Sequence, residues 1–213
     1  MKPRELIIEF INDCLSTPLS TSGFKFAKSK MAFARGDKIF RHEIRFCLNK
    51  YNQEDVSADF RLEFYVTSKF YADWHFSQYG QKPHSDIAWG IQDGQLQQWK
   101  YHEKSRANGG HFDVIHPDKR TEIAALLLQN MTNIIFPLFE KYSNWASAAE
   151  FWRNDYFNKY SKAIDFLVLG GNQDEALHLL KNQLTELENT AEKSFFTQAV
   201  LADVKIRLDK YLT

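Results

Sequence analysis

The chain has 213 residues, of which 44% are hydrophobic and 15% aromatic, with 27 basic and 27 acidic side chains. This composition can fill a substantial core and excludes an intrinsically disordered chain. Because the formal net charge is zero, it also excludes a global electrostatic field that would favour nucleic acid, an anionic membrane or an acidic substrate.

The cysteine count and the apolar segments bear on the compartment. Cys14 and Cys47 are the only cysteines, which excludes a disulfide framework, leaves one disulfide open and favours a reducing compartment. The first apolar stretch is broken at Glu9, unlike a secretory signal. The stretch 123–139 contains four polar residues, so we expect no membrane span. The sequence thus predicts a cytoplasmic protein.

The first predicted element is a helix that starts at Pro3, a favourable residue in a first helical turn. Its apolar residues recur every three or four positions, and they are Ile7, Phe10, Ile11, Cys14 and Leu15. The stretch 16–22, rich in Ser, Thr and Pro, predicts a break after this helix. The helix therefore has one apolar stripe to pack on a partner surface.

Edge strands are predicted at 24–26 and 30–35, followed by a turn. Gly36-Asp37 suits a two-residue type II′ hairpin turn, which would place Phe33 opposite Phe40.

The most regular pattern lies in two runs, 40–46 and 58–64, in which apolar and charged residues mostly alternate. Alternation with period two is typical of a strand with one buried and one solvated face. An antiparallel register that pairs Arg41 with Glu63 and Ile44 with Phe60 satisfies both faces. We therefore predict that the two strands pair in this register.

The middle of the chain is less regular. Residues 69–79 fit a short helix or a loop, and 86–102 predicts a hairpin around Asp93-Gly94. A short strand is expected at 112–115. A long helix follows from about 118 to 142, and Pro137 should kink or end it.

From residue 144 the pattern is helical. Residues 163–184 predict an antiparallel helical hairpin closed by Gly170-Gly171-Asn172, and a last helix is expected over 191–211. The hairpin looks like one unit of a tetratricopeptide array, but a second copy is not found.

The sequence predicts an α+β fold: residues 1–143 form an antiparallel sheet of four to six strands covered on one face by helices. Residues 144–213 form a helical bundle packed on it.

Part of the chain resembles a known family. The segments Gly23-Phe24-Lys25, Phe33-Ala34-Arg35, Lys50-Tyr51-Asn52 and 60–66 resemble an uncharacterised bacterial domain family with a GFK segment and an aromatic-rich hairpin. The likeness covers about residues 5–70. It implies a small α+β domain of the bacterial cytosol and supplies no catalytic residues.

Two patterns raise the question of catalysis. His42 lies on the apolar face of its strand, where a core histidine is favoured over a buried general base. A weaker alternative is a metal or hydrolase site, and its candidate residues are His102, His111, His116 and Asp113. Their spacing matches no established zinc pattern. The sequence therefore predicts no catalytic residues, no metal and no cofactor.

A second alternative is nucleic-acid binding by the basic N-terminal region, where basic residues alternate with aromatic ones. These basic residues are Lys25, Lys28, Lys30, Arg35, Lys38, Arg41 and Arg45. The zero net charge argues against this alternative.

A protein partner is favoured instead, because a sheet face with charges of both signs can dock selectively. The candidate partner-binding residues are Arg41, Arg45, Arg61, Tyr65, Trp74, Trp89 and Trp99. The leading hypothesis is a non-enzymatic bacterial protein-binding module of the immunity or adaptor kind. A homodimer stays open.

Overall fold

The computed structural model describes residues 1–101, 111–153, 161–189 and 195–211. It has the predicted α+β architecture, with an antiparallel sheet and a helical C-terminal part. The chain divides into two compact units, Met1–Lys141 and Tyr142–Thr213. The predicted packing of the helical appendage on the sheet domain stays a prediction.

The first helix, α1, is longer than its apolar stripe predicts. It runs over Pro3–Phe10, continues through a π-helical turn at Ile11–Leu15 and ends with Ser16–Thr21. The expected break at 16–22 is therefore wrong. The Ser16 hydroxyl finds an acceptor inside the helix, the Ile11 carbonyl oxygen at 3.1 Å, and Leu19 is buried.

The sheet contains six antiparallel strands in the described part of the chain. They are β1 Lys25–Ala27, β2 Ala32–Gly36, β3 Arg41–Leu48, β4 Asp59–Thr67, β5 Ile87–Gln92 and β6 Phe112–Asp113. The spatial order is β1-β2-β3-β4-β5, and β6 pairs with the beginning of β4. Strands β3 and β4 are the longest and lie at the centre, which agrees with their regular alternation.

The register of β3 and β4 differs from the prediction by four residues. Ile44 lies opposite Phe64 instead of Phe60, and Arg45 lies opposite Glu63. An even shift keeps every side chain on its predicted face. The observed register is favoured because it pairs the whole of β3, from Arg41 to Leu48, and places Val66 opposite His42 in the interior.

The β2–β3 connection is also longer than the predicted two-residue turn. Phe33 lies opposite Ile44 instead of Phe40. The carboxylate Oδ1 of Asp37 accepts hydrogen bonds from the Ile39 and Phe40 N–H groups at 2.7 and 3.1 Å. This side-chain acceptor stabilises a longer loop, which is an alternative that the Gly36-Asp37 dipeptide does not reveal.

Helices cover the inner face of the sheet. The ring centroid of Phe10 on α1 lies 6.0 Å from that of Phe60 on β4. A second helix, α2, spans Lys69–Tyr79, which decides the ambiguity at 69–79. Ser68 begins it by accepting a hydrogen bond from the Tyr71 N–H at 3.0 Å.

The long predicted helix, α3, runs from Pro117 to Tyr142. It comprises Pro117–Asn130, a π-helical turn at Met131–Ile135 and Phe136–Tyr142. It therefore continues past Pro137, and the neighbouring π-helical turn can accommodate the missing N–H group. The helix is long and apolar enough to cross a membrane by length and composition alone. In the structure its residues Leu127, Met131 and Phe139 are fully buried in the core.

The hairpin predicted for 86–102 is not present in the described residues. Strand β5 ends at Gln92, and a short 3₁₀ turn, Asp93–Gln95, follows it. The Asp93 carboxylate accepts hydrogen bonds from the Leu62 N–H at 3.0 Å and the Gly94 N–H at 2.7 Å. Asp93 thus connects the turn to β4. In a type I′ hairpin it would instead lie at the exposed tip.

The second unit is helical. Its helices are α4 Trp145–Arg153, α5 Ser161–Leu169, α6 Gln173–Asn189 and α7 Phe195–Tyr211. The predicted hairpin is formed by α5 and α6: Gly171 has a positive φ of 80°, and the Asn172 N–H donates to the Leu167 carbonyl oxygen at 2.8 Å. Inside this unit, Arg207 donates two hydrogen bonds to the buried Asp165 carboxylate at 3.1 and 3.0 Å.

Candidate functional site

The side of the sheet that faces away from α1 and α3 is the candidate site, and we call it the outer face. On β3 and β4, residues with buried side chains alternate with residues that are partly or largely exposed. The pairings extend this face to β1, β2 and β5. Its residues include Lys25, Ala34, Gly36, Arg41, Glu43, Arg45, Cys47, Arg61, Glu63, Tyr65, Gly90 and Gln92, and at the β6 end Asp59 and its partner Asp113.

Charged residues of β3 pair along their own strand. Arg45 donates from Nε and Nη2 to Oε2 of Glu43, at 2.9 and 2.6 Å. Nε of Arg41 lies 3.3 Å from the other oxygen, Oε1. Glu43 therefore holds two guanidinium groups, one from each side. The predicted cross-strand ladder is wrong in its partners, because these pairs lie two residues apart on one strand.

Glu63 has the same position on β4. Its carboxylate accepts hydrogen bonds from the Tyr65 hydroxyl at 2.8 Å and from Nε2 of Gln92 at 3.3 Å. Arg61 reaches it with Nη2 at 3.5 Å. Burial, together with the hydrogen bond to Glu63, raises the pKa of Tyr65 to about 12, so the phenol stays protonated and keeps donating at neutral pH.

Tyr65 joins the two halves of the network. The guanidinium carbon of Arg45 lies 4.4 Å from the centroid of the Tyr65 ring. The ring also lies against the backbone of Gly90, where an added Cβ would be only 2.7 Å from Cδ1 of Tyr65. A larger residue at position 90 would push the ring away. The charged and aromatic groups of β3, β4 and β5 thus form one connected surface.

The two signs of charge lie at different depths on the outer face. The side chains of Arg41, Arg45 and Arg61 are 48%, 41% and 45% exposed. Those of Glu43 and Glu63 are only 14% and 15% exposed. A molecule that approaches this part of the outer face therefore meets guanidinium groups first.

The structure brings together four of the seven predicted partner-binding residues, namely Arg41, Arg45, Arg61 and Tyr65. Trp74 lies on α2, where its ring is 6.4 Å from that of Tyr71 and 6.0 Å from that of Tyr79. Trp89 and Trp99 are 2% and 4% exposed and belong to the core, so they are not available at a surface. Trp89 lies opposite the buried Val66 on the inner face.

Sequence reasoning did not assign Gly90 and Gln92 to the site. Both belong to β5, where polar and apolar residues do not alternate cleanly, so their face was not readable. The pattern Arg41-x-Glu43-x-Arg45 was a usable signal, because residues two apart on a strand share a face.

The alternative hydrolase or metal site is only partly described. Half-buried His111 interacts electrostatically with Asp59 and Asp93, and its Nδ1 has no hydrogen-bond partner in the described part of the chain. Oδ1 of Asp113 accepts hydrogen bonds from the Ala58 and Ile115 N–H groups at 3.1 and 3.0 Å, which is a structural role. His116 is exposed and directly precedes α3. His102 lies outside the described residues. Among the described residues, no group of three or more His, Cys, Asp or Glu could hold a metal ion.

The alternative nucleic-acid stripe is divided between two faces. Arg35 points inward: its guanidinium carbon lies 4.7 Å from the Phe24 ring centroid, and its Nη2 donates to Glu140 at 2.8 Å. Phe24 and Phe33 are buried in the core. These aromatic residues are therefore not available to stack on bases.

His42 is a buried core histidine. Its Nδ1 accepts a hydrogen bond from Nε of Arg35 at 3.1 Å, and its ring stacks on Phe139 with a centroid distance of 4.6 Å. Burial, and to a lesser degree the Arg35 charge, lowers the pKa of His42 to about 4. The ring is therefore neutral at physiological pH and carries its proton on Nε2.

Comparisons with protein-family models, curated proteins and solved structures find no match for this chain. The resemblance of residues 5–70 to an uncharacterised bacterial family therefore stays a prediction. The functional argument is based on the geometry of the outer face.

Proposed function

We propose that this chain is a non-enzymatic protein-binding module, of the adaptor or immunity kind, that docks through the outer face. The observation that carries the proposal is the connected network of Arg41, Glu43, Arg45, Tyr65 and Glu63 on an exposed sheet face. Surface ion pairs that serve stability alone contribute little, typically about 0–1 kcal/mol. A shared network that fixes several long side chains is better explained as preparation for binding.

The composition of the face agrees with this proposal. Arginine and tyrosine are enriched at protein interfaces, and they carry much of the binding energy there. Holding them in one conformation before binding lowers the entropy lost when a partner docks. A bacterial cytoplasmic setting belongs to the same proposal and is supported by Cys14 and Cys47, which are both free thiols in the structure.

The test places a photocrosslinking residue on each side of the sheet. Lys25 is exposed on the outer face, and Asn12 is exposed on α1 in the helical layer. With benzoylphenylalanine at position 25, we expect one adduct of defined mass after irradiation in lysate of the native organism. With the same residue at position 12, we expect none.

The control for specificity is the variant R41Q/R45Q/R61Q combined with the crosslinker at position 25. The adduct should decrease by at least about tenfold if these arginines contact the partner. Absence of any protein adduct at position 25, at both low and moderate salt, would contradict the proposed function.

A further inference from the structure

The guanidinium groups of the outer face keep hydrogen-bond donors available. Arg41 uses only its Nε for Glu43, and Arg61 contacts Glu63 through Nη2 alone at 3.5 Å. Arg45 donates to Glu43 from Nε and Nη2, which leaves its Nη1 group as an available donor. The remaining N–H groups of these arginines have no hydrogen-bond acceptor within the described part of the chain. Arginine has five such donors in a planar fork that matches carboxylates.

The spacing of the arginines fits an extended chain. Arg41 and Arg45 are four residues apart on β3, which corresponds to about 13 Å. Arg61 is the diagonal neighbour of Arg45, because Arg45 pairs with Glu63 two residues further along β4. Diagonal neighbours are about 7–8 Å apart, close to the ~6.6 Å between alternate residues of an extended segment. The spacing of carboxylates on alternate residues therefore fits once between Arg45 and Arg61 and twice between Arg41 and Arg45.

The neighbouring strand leaves room for such a segment. Beside Arg41 and Glu43, β2 presents only Gly36 and Ala34. Ala34 carries only a methyl group, so another backbone can approach Glu43 and its arginines there, whereas at Gly36 the Phe40 carbonyl oxygen already fills the place of a side chain. On β1, the exposed Lys25 lies opposite Ala34 and adds a further positive charge.

We propose that the partner presents an extended acidic segment, with Asp or Glu at alternate positions, to Arg41, Arg45 and Arg61. This inference rests on the proposed function and specifies the chemistry of the partner. It follows from charge complementarity, because the side chains of Arg41, Arg45 and Arg61 are 41–48% exposed, whereas those of Glu43 and Glu63 beside them are only 14% and 15% exposed. A protein segment is favoured over nucleic acid because the chain has no net positive charge to attract a polyanion.

The test measures binding of defined probes to the full-length chain by fluorescence anisotropy. The first probe is a labelled peptide of five Glu-Thr repeats, the second replaces each Glu by Gln, and the third is a single-stranded DNA of about ten nucleotides. We expect saturable binding of the acidic peptide that weakens as salt rises from about 50 to 150 mM. The Gln peptide should bind at least about tenfold more weakly.

Matched variants distinguish the effect of the outer-face arginines on peptide binding from the effect of removing positive charge elsewhere. R41Q/R45Q/R61Q should weaken binding of the acidic peptide by at least about tenfold. K82Q/K181Q/K205Q removes the same charge from exposed positions elsewhere and should change it less than about twofold. If the triple arginine variant does not fold, R61Q alone decides the question, because Arg61 has only one long contact. It should weaken binding about threefold or more.

Each remaining outcome overturns the inference in a distinguishable way. If neither peptide nor DNA binds, the acidic-segment inference is wrong, and the adduct at position 25 still decides the proposed function. If DNA binds more tightly than the acidic peptide and R41Q/R45Q/R61Q abolishes this, the face is a nucleic-acid surface and both proposals are overturned. Equal binding of the Glu and Gln peptides would also contradict the role of the carboxylates.

Discussion

Individual side chains determine which charge the outer face presents. Glu43 and Glu63 are each largely covered by the residues that contact them, so they orient Arg41, Arg45 and Tyr65 while little of their own side chains is exposed. The buried histidine on the opposite face has a different role. His42 is held neutral between Arg35 and Phe139 and contributes to the packing of α3 on the sheet.

The low pKa of His42 predicts a loss of stability in acid. An unfolded histidine titrates near 6.5, whereas His42 in the fold has a pKa of about 4. Protons therefore bind the unfolded chain first, so this contribution to stability is complete above pH 6.5 and is lost as the pH falls towards 4. Its full size is about 3 kcal/mol. Urea unfolding at several pH values should show the loss.

The variant H42Q isolates this effect from the carboxyl groups that titrate in the same range. Its free energy of unfolding should depend less on pH between 6.5 and 4 than that of the wild type. H84Q replaces an exposed histidine and should keep the wild-type pH dependence. If H42Q and the wild type lose stability in parallel over this range, the assignment to His42 is wrong.

At the scale of elements, the sequence determined faces better than registers. Alternation in β3 and β4 assigned Ile44 and Arg45 to opposite faces, as the structure shows. It did not fix the pairing, because any even shift preserves alternation and the ion pairs form along each strand. The irregular pattern of residues 86–102 did not indicate whether Trp89 and Trp99 lie on the buried or the solvated face of the sheet. Their burial depends on the position of β5 beside β4, which is a tertiary contact.

The turn after β5 depends on one carboxylate. Asp93 is 3% exposed and accepts the N–H groups of Leu62 and Gly94, so D93A leaves the Leu62 N–H without its acceptor in the interior. We expect a loss of about 2–3 kcal/mol in the free energy of unfolding, measured with urea. D93N keeps one carbonyl oxygen and should lose less.

The comparison variant is D73A. Asp73 lies on α2 with its side chain 61% exposed and pairs with Lys69, so its removal should change stability by less than about 1 kcal/mol. Equal stability of D93A and D73A would show that Asp93 does not hold the turn.

On the scale of the whole molecule, charge is balanced in number but not in arrangement. The 27 basic and 27 acidic side chains give no net field, yet on the outer face the side chains of Arg41, Arg45 and Arg61 are far more exposed than those of Glu43 and Glu63. Attraction of a partner should therefore be short-ranged and confined to this face, since exposed charges are screened within about 8 Å at physiological salt. The proposed preference for a selective protein partner over general polyanions depends on this local arrangement of charge.

The two compact units each have a buried core, and a buried ion pair tests whether the second core can be weakened separately. Asp165 and Arg207 are 0% and 4% exposed in their side chains, with 3.0 Å between Oδ2 and Nη2. R207M removes the guanidinium and leaves the carboxylate in the interior, which should cost about 3–5 kcal/mol. In hydrogen-exchange mass spectrometry, α5 and α6 should lose protection while β3 and β4 keep theirs.

The double variant D165L/R207M removes both charges and should recover most of the lost protection, because the isolated carboxylate, rather than the missing contact, causes most of the cost. Equal loss in β3 and β4 would mean that the chain unfolds as one cooperative unit, contrary to the division at residue 141. Unchanged protection of α5 in R207M would mean that Arg207 does not compensate the charge of Asp165. The two results are distinct, because the first concerns cooperativity between the units and the second concerns a single interaction.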